Sequence, residues 1–331
     1  MDKGHKQGLQ ATGLLQEAYE KLKASDAAAA CSLLEEALDL DYENTEIKHA
    51  LKCVNWWLEN SRRIDELKTP YEKGAYLISL LKPYYSFLGQ LNEIQEINPV
   101  ESYKLLQTKY ERCQYTVRYF VYSQALFFFE GLLSNPSNQH DTGLLLYAGR
   151  CNKGLGNYDE ALFYLEQAFN SKMHDAQILA ELADVNALLA QMKPAKALFK
   201  EAFFIDPAKI DLNVMESALI LNLSSKVSEM GFKDEALCEW IPVYGHLWKV
   251  FSVQRELKQI EAGRLKQSIF SLEAEYEANP ARRELIKPRL LNHYFWLIDY
   301  YEAVKEESSH IEDTLLKIQL KDPEIYNIYT G

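Results

Sequence analysis

Apolar residues recur along most of this chain at spacings of three and four residues, between stretches rich in Glu, Lys and Ala. This spacing gives each segment one apolar stripe and predicts an almost entirely α-helical protein. Glycine and proline are few and fall at regular intervals, where they would form turns or end helices. The pattern therefore predicts an all-α protein made of short helices joined by tight turns.

The segment 142–207 can be laid over itself after a displacement of 34 residues. Small residues are kept at this displacement, since Gly149 matches Ala183 and Ala161 matches Ala195. A period of this length is typical of helix-turn-helix repeats, in which one unit cannot bury its apolar face alone and stacks on the next. The sequence thus predicts a stack of helix pairs.

The stretch GLGNYDEALFYLEQAF resembles the tetratricopeptide repeat. Gly149 on the first helix and Ala161 on the second would let the two backbones approach closely, and Gly156 would shape the turn between them. The following repeat departs from this pattern, because Ala190 stands in place of the turn glycine. The resemblance implies an α-solenoid, a right-handed superhelix of antiparallel helix pairs with a concave surface.

The resemblance also predicts the domain organisation. We expect a disordered N-terminus over residues 1–8 and a single tetratricopeptide-type superhelix over residues 9–331. The regular repeats would cover 11–44, 142–175 and 176–209, the degenerate repeats 106–139, 217–250, 249–282 and 292–325, and irregular helices 45–97.

Charge and composition exclude several classes of partner. The formal net charge of −12 argues against nucleic acid, because binding to phosphates needs clustered Lys and Arg. The chain has no uninterrupted apolar run of about 18 residues, so we expect no membrane insertion. Its five scattered cysteines include no CxxC pair and predict reduced residues of a cytoplasmic protein. An export signal removed from before Met1 would change that last prediction.

Motifs of catalysis and metal binding are missing from the sequence. The glycines Gly154 and Gly156 lack the strand and further glycines of a phosphate-binding loop, and the seven histidines include no HExxH pattern. No GxSxG motif is present, although a triad assembled in space leaves no such signature. We therefore predict no enzymatic activity, no metal and no cofactor.

In tetratricopeptide repeats the concave wall comes mainly from the first helix of each pair. Carried over to matching positions, this rule predicts partner-binding groove residues at Tyr110, Gln114, Leu146, Arg150, Lys153, Gln177 and Asp184. The same rule gives candidate apolar anchors at Leu15, Tyr19, Leu22, His293, Trp296 and Tyr300, which neighbouring helices or another subunit could instead cover. The carboxylate clamp of one branch of the family is not matched, because Glu181 stands where an Asn would be needed.

Aromatic residues make up 12% of the chain and cluster in segments such as YTVRYFVYSQALFFFE. We expect most of these rings to lie in the core, where aromatic side chains fill the space between helices. The sequence predicts a non-catalytic scaffold or adaptor that binds a peptide or a helix of an unidentified protein partner in its concave groove. Two alternatives stay open, namely a self-assembling subunit of a larger complex, for example a homo-oligomer, and a protein that binds a small hydrophobic ligand.

Overall fold

The computed structural model describes residues 3–91, 110–253 and 257–331. Within these ranges the chain forms α-helices and short 3-10 turns and no β-strand, which confirms the all-α prediction. None of the described helices combines the length and the apolar character needed to cross a bilayer. The chain divides into two compact units, Met1–Lys172 and Met173–Gly331, which we call unit 1 and unit 2.

Unit 1 contains eight described helices, and consecutive ones pack as α1 on α2, α2 on α3, α6 on α7 and α7 on α8. Helix α6 also packs against α1, α3 and α4. The helices are α1 Lys3–Lys23, α2 Ala27–Leu40, α3 Thr45–Ser61, α4 Pro70–Ser79, α5 Leu81–Leu91, α6 Glu111–Leu133, α7 Thr142–Leu155 and α8 Tyr158–Ser171.

Unit 2 also contains eight described helices. Its consecutive pairs are α9 with α10, α11 with α12 and α13 with α14, and α14 additionally packs against α12 and α15. The helices are α9 Ala176–Leu188, α10 Met192–Ile205, α11 Ala218–Glu229, α12 Asp234–Leu247, α13 Gln259–Ala278, α14 Arg283–Val304, α15 Ser308–Lys321 and α16 Pro323–Thr330.

Several segments differ from the sequence-based expectation. Helix α1 begins at Lys3, inside the segment 1–8 predicted to be disordered, because the buried apolar stripe that includes Ala11, Leu15 and Ala18 anchors a helix that extends toward the N-terminus. The predicted repeat 106–139 contains one long helix, α6, where a pair was expected, although residues 106–109 lie outside the described part. The predicted repeat 249–282 likewise contains α13 as its one described α-helix.

Two helix pairs, α7 with α8 and α9 with α10, repeat the same local geometry after 34 residues. Asp141 accepts a hydrogen bond from the backbone nitrogen of Leu144, and Asp175 does the same for Gln177 and Ile178, so an aspartate caps the first helix of each pair. Helix caps of this kind satisfy backbone donors that have no partner inside the helix.

The crossing of each pair is built from small and apolar residues that are completely buried. In the first pair these are Ala161, Leu165 and Ala168, and in the second Ala195, Phe199 and Ala202. Gly149 provides the close approach, because a Cβ built on it would lie 2.6 Å from Cγ of Leu165. The roles that the sequence assigned to these crossing residues agree with their burial.

The turn that ends the first helix is also shared. Gly156 and Ala190 both adopt a left-handed backbone, with φ of 84° and 60°. The residue after each, Asn157 or Gln191, donates its backbone N–H to the carbonyl of Asn152 or Asn186, five residues earlier. The same fifteenth position of the predicted repeats 11–44 and 217–250 is left-handed as well, at Ser25 and Gly231.

Candidate functional site

The residues predicted to line a groove lie mostly in covered positions. Four of them are buried, namely Gln114, Arg150 and Lys153 in unit 1 and Asp184 in unit 2. The other three, Tyr110, Leu146 and Gln177, are half-buried. The four buried side chains are therefore covered in this structure and do not present an open wall to a peptide.

Asp184 has a clear structural role that the sequence did not reveal. Its two carboxylate oxygens accept hydrogen bonds from the backbone nitrogens of Glu216 and Ser217, at 2.9 and 2.8 Å. These nitrogens belong to the two residues immediately before α11, whose N-cap is Ser217, and a negative charge is favourable at this end of a helix. The carboxylate of α9 thus fixes the first turn of α11, a long-range contact that no local sequence pattern predicts.

Neighbouring helices cover most of the candidate apolar anchors, which is one of the alternatives that the sequence leaves open for them. Leu15, Tyr19 and Leu22 are buried in the core of unit 1, and His293 and Trp296 are buried in unit 2. Tyr300 is half-buried.

Two of these anchors, Tyr19 and Trp296, illustrate the contacts that these side chains make inside the units. The Tyr19 hydroxyl donates to Oε1 of Glu46 at 2.9 Å. In unit 2 the Trp296 ring packs against Phe204, with 4.5 Å between the ring centroids. Both side chains therefore serve internal packing.

A different group of aromatic side chains is exposed on unit 1. Phe127 on α6 is 74% exposed, and Phe163 on α8 is 57% exposed. Their half-buried neighbours are Phe128 and Tyr164, with ring centroids 5.9 and 5.5 Å away. We call these four residues the aromatic surface.

Phe129, two residues after Phe127 on α6, faces the opposite way, and its position explains why the Phe127 side chain is exposed. Its ring is completely buried and stacks on Tyr147, with 5.0 Å between the centroids. A Cβ built on Gly74 of α4 would lie 2.6 Å from this ring, so the glycine makes room for it. Successive helical residues point about 100° apart, so Phe127 and Phe129 lie on different faces of α6.

Two shallow hollows of about 440 and 450 Å³ adjoin the aromatic surface and share Glu130 in their linings. The first includes Phe127 and Phe128, and the second includes Phe163 and Tyr164. The Tyr164 hydroxyl donates to Oε1 of Glu130 at 3.5 Å, which links the two hollows. The aromatic surface thus adjoins two depressions that meet at a carboxylate, one mainly apolar and one with polar residues such as Gln139 and His140 in its lining.

The electrostatic environment of this surface is acidic. Burial raises the pKa of Tyr164, and the nearby carboxylates of Glu130 and Glu160 raise it further, so the phenol stays protonated. Both glutamates are exposed. A cationic group of a partner would therefore be attracted here.

Unit 2 has a larger hollow of about 630 Å³, lined by residues that include Lys200, His246, Asp299 and Tyr329. Nζ of Lys200 lies 2.5 Å from Oδ2 of Asp299 in a largely buried ion pair. Burial lowers the pKa of His246 to about 4, so its imidazole is neutral near pH 7. The lining combines a paired charge with a neutral aromatic ring, a mixture suited to a small polar ligand.

Inside unit 1 the structure brings together His49, Cys53 and Cys113, one atom of each lying within 4.8 Å of the others. The sequence predicted no metal site, because its cysteines include no CxxC pair and its histidines no HExxH pattern. Cys113 is also distant in the chain from the other two residues. The neighbouring Cys113 thiol and His49 lower the pKa of Cys53, whereas the pKa of Cys113 is raised by its interaction with Cys53 and by burial.

Comparison with known proteins gives no further guidance, because no family model and no curated protein matches this chain.

Proposed function

We propose that this chain is a non-catalytic adaptor of tetratricopeptide-like helix pairs that binds a segment of another protein through the aromatic surface of unit 1. The observation that carries the proposal is the exposure of Phe127 and Phe163 on helices whose other faces are buried. Exposed apolar groups of this kind mark interaction sites, and buried aromatic anchors supply much of the binding energy at interfaces.

The shared turn supports the repeat part of the proposal. A left-handed residue at the same position of four predicted repeats is expected if those segments are copies of one helix-turn-helix unit. Helical repeats offer extended surfaces that usually bind other proteins. The solenoid arrangement of the repeats is part of this proposal.

The chemistry of the surface indicates the kind of partner. Two depressions lined by aromatic rings suit apolar anchors one or two turns apart on an amphipathic helix. Glu130 lies between them, and Glu160 lies nearby, so a Lys or Arg of that helix would pair with a carboxylate. The net charge of −12 would also attract a basic segment over longer distances.

The proposal is tested by affinity purification from the native cell with matched variants. The test protein carries Phe127→Ser and Phe163→Ser, and the control carries Tyr42→Ser, which removes a side chain that is 73% exposed elsewhere in unit 1. Exposed substitutions of this kind change stability by about 0.5 kcal/mol or less, so both variants should fold. We expect partners bound by the wild type and the control to be lost from the double variant.

Retention of every partner by the double variant would contradict the proposed binding surface. Self-assembly is a separate outcome of the same design. If the wild type forms a concentration-dependent oligomer in light scattering, and the double variant does not, the aromatic surface joins copies of this chain and the adaptor proposal is wrong.

The hollow of unit 2 favours a second candidate function, the binding of a small molecule. Its volume lies within the range of about 300–1,000 Å³ that is usual for ligand pockets. The paired Lys200 and Asp299 and the neutral ring of His246 favour a polar aromatic ligand over the purely hydrophobic one considered from the sequence. Native mass spectrometry of the purified chain would reveal a retained ligand, and an Asp299→Asn variant that retains it equally well would exclude this hollow.

A further inference from the structure

The buried cluster of His49, Cys53 and Cys113 contains side chains that can coordinate a metal ion. His49 and Cys53 are four residues apart on α3, so their side chains lie on the same face of that helix. Cys113 lies in the first turn of α6. One ligand atom of each residue, a ring nitrogen or a thiol sulfur, lies within 4.8 Å of the other two.

The histidine is the member that an ordinary core does not explain. Its side chain is 6% exposed, and Nε2 is buried without a hydrogen-bond partner among the described residues. The ring stacks on Tyr110, with 4.1 Å between the centroids, which fixes its plane. A buried polar atom without a partner costs about 1–3 kcal/mol, and coordination of a cation would remove that cost.

The spacing of the three ligand atoms is compatible with zinc. Sulfur ligands about 2.3 Å from a tetrahedral zinc ion lie roughly 3.8 Å from each other. Because the present separations do not exceed 4.8 Å, a contraction of about 1 Å or less would complete the geometry.

The charge balance favours Zn²⁺ over other ions. Two thiolates and a neutral imidazole around Zn²⁺ have no net charge, whereas the same ligands around Cu⁺ would leave a negative charge buried. Mg²⁺ and Ca²⁺ require oxygen ligands, which this set does not offer. Thiolate and imidazole together are the usual donors for zinc.

We propose that His49, Cys53 and Cys113 bind one zinc ion inside unit 1. The ion connects α3 with α6, two helices that are separated by more than one other helix along the chain. Three protein ligands leave one tetrahedral position for water or a solute. This inference does not depend on the proposed adaptor function.

The test uses the full chain, unfolded and refolded under reducing conditions without metal, and then titrated with Co²⁺ and afterwards with Zn²⁺. We expect one equivalent of Co²⁺ to bind with a thiolate-to-cobalt charge-transfer absorption, and Zn²⁺ to displace it. Cys53→Ser and Cys113→Ser should each lose this absorption, and His49→Gln should bind the ion more weakly. Cys151→Ser removes an equally buried cysteine of unit 1 outside the cluster and should behave like the wild type.

Three results would overturn the proposal. These are the absence of thiolate-bound cobalt in the wild type, an equal loss in Cys151→Ser, and a failure of Zn²⁺ to displace the bound Co²⁺. If the cluster variants do not fold, X-ray absorption of the zinc-loaded wild type still tests the proposal, because it identifies the atoms that coordinate zinc. The proposal requires two sulfur ligands and a nitrogen ligand. A shell of oxygen and nitrogen alone would refute it.

Discussion

Ala190 ends helix α9 in a left-handed conformation, and this predicts that Ala190→Gly stabilises the protein. A non-glycine residue with φ near 60° pays a steric cost of about 1–2 kcal/mol, which glycine does not pay. Glycine in turn loses about 0.5–1 kcal/mol through the greater freedom of the unfolded chain. The expected net effect is a gain of about 0.5–1 kcal/mol in the free energy of unfolding.

The matching turn of unit 1 supplies the reverse experiment. Gly156 has the same hydrogen-bonded turn, and a Cβ added to it would meet no atom within 4 Å, so Gly156→Ala tests the backbone alone. We expect it to destabilise the protein by about 0.5–1 kcal/mol. Ala274→Gly is the control in unit 2, since Ala274 is exposed in the interior of α13, where glycine costs about 1 kcal/mol.

Urea unfolding followed by circular dichroism gives the free energy of unfolding for all three variants. The two Ala→Gly changes should have opposite signs, although the chemical change is identical. If Ala190→Gly destabilises the protein as much as Ala274→Gly does, Ala190 does not carry the left-handed strain, and the shared turn is not a repeat feature.

Three further predictions address packing and charge. Ala161→Leu and Ala195→Leu should each lower the free energy of unfolding by about 1–3 kcal/mol, because both methyl groups are completely buried at helix crossings; unchanged urea midpoints would show that the crossings are elsewhere. In the unfolded state His246 binds a proton below about pH 6.5, whereas in the folded state it does so only below about pH 4. The free energy of unfolding should therefore fall as the pH falls through that window, by about 2 kcal/mol near pH 5. His246→Phe should make this part of the pH dependence of urea unfolding less steep, while the contribution of His293, whose pKa burial also lowers to about 4, remains; an unaltered slope would contradict the burial of a neutral imidazole at position 246. Asp299→Asn should cost about 3 kcal/mol in the same assay, because it leaves the Lys200 ammonium largely buried without its partner, and a loss below about 1 kcal/mol would show that water reaches the pair.

The helix pairs between residues 142 and 209 could be predicted from the sequence because their signals are local. The aspartate caps and the small residues at helix crossings act within one or two turns of their own position, so a 34-residue displacement reveals them. The left-handed turn at Ala190 was missed because the sequence marks such a turn by glycine, which is absent there. The backbone of Ala190 is left-handed although the residue is not glycine.

The site residues were harder to predict because their exposure depends on helices that are distant in the sequence. Asp184 was assigned to a groove by its position on α9, whereas its actual environment is set by the start of α11. The run of three phenylalanines on α6 did contain a usable signal. Three consecutive helical residues cannot all face one core, so one exposed ring was predictable, but not its association with Phe163 on α8.

Partner binding at the aromatic surface can be tested by photo-crosslinking in the native cell with a photoreactive phenylalanine analogue placed at Phe127, Phe163 or Tyr42, one position at a time. We expect the first two positions to crosslink to the same protein partner, within a basic amphipathic segment, and position 42 not to do so. Equal crosslinking at all three positions, or crosslinks from the aromatic surface to no protein other than this chain itself, would contradict an adaptor that binds its partner there.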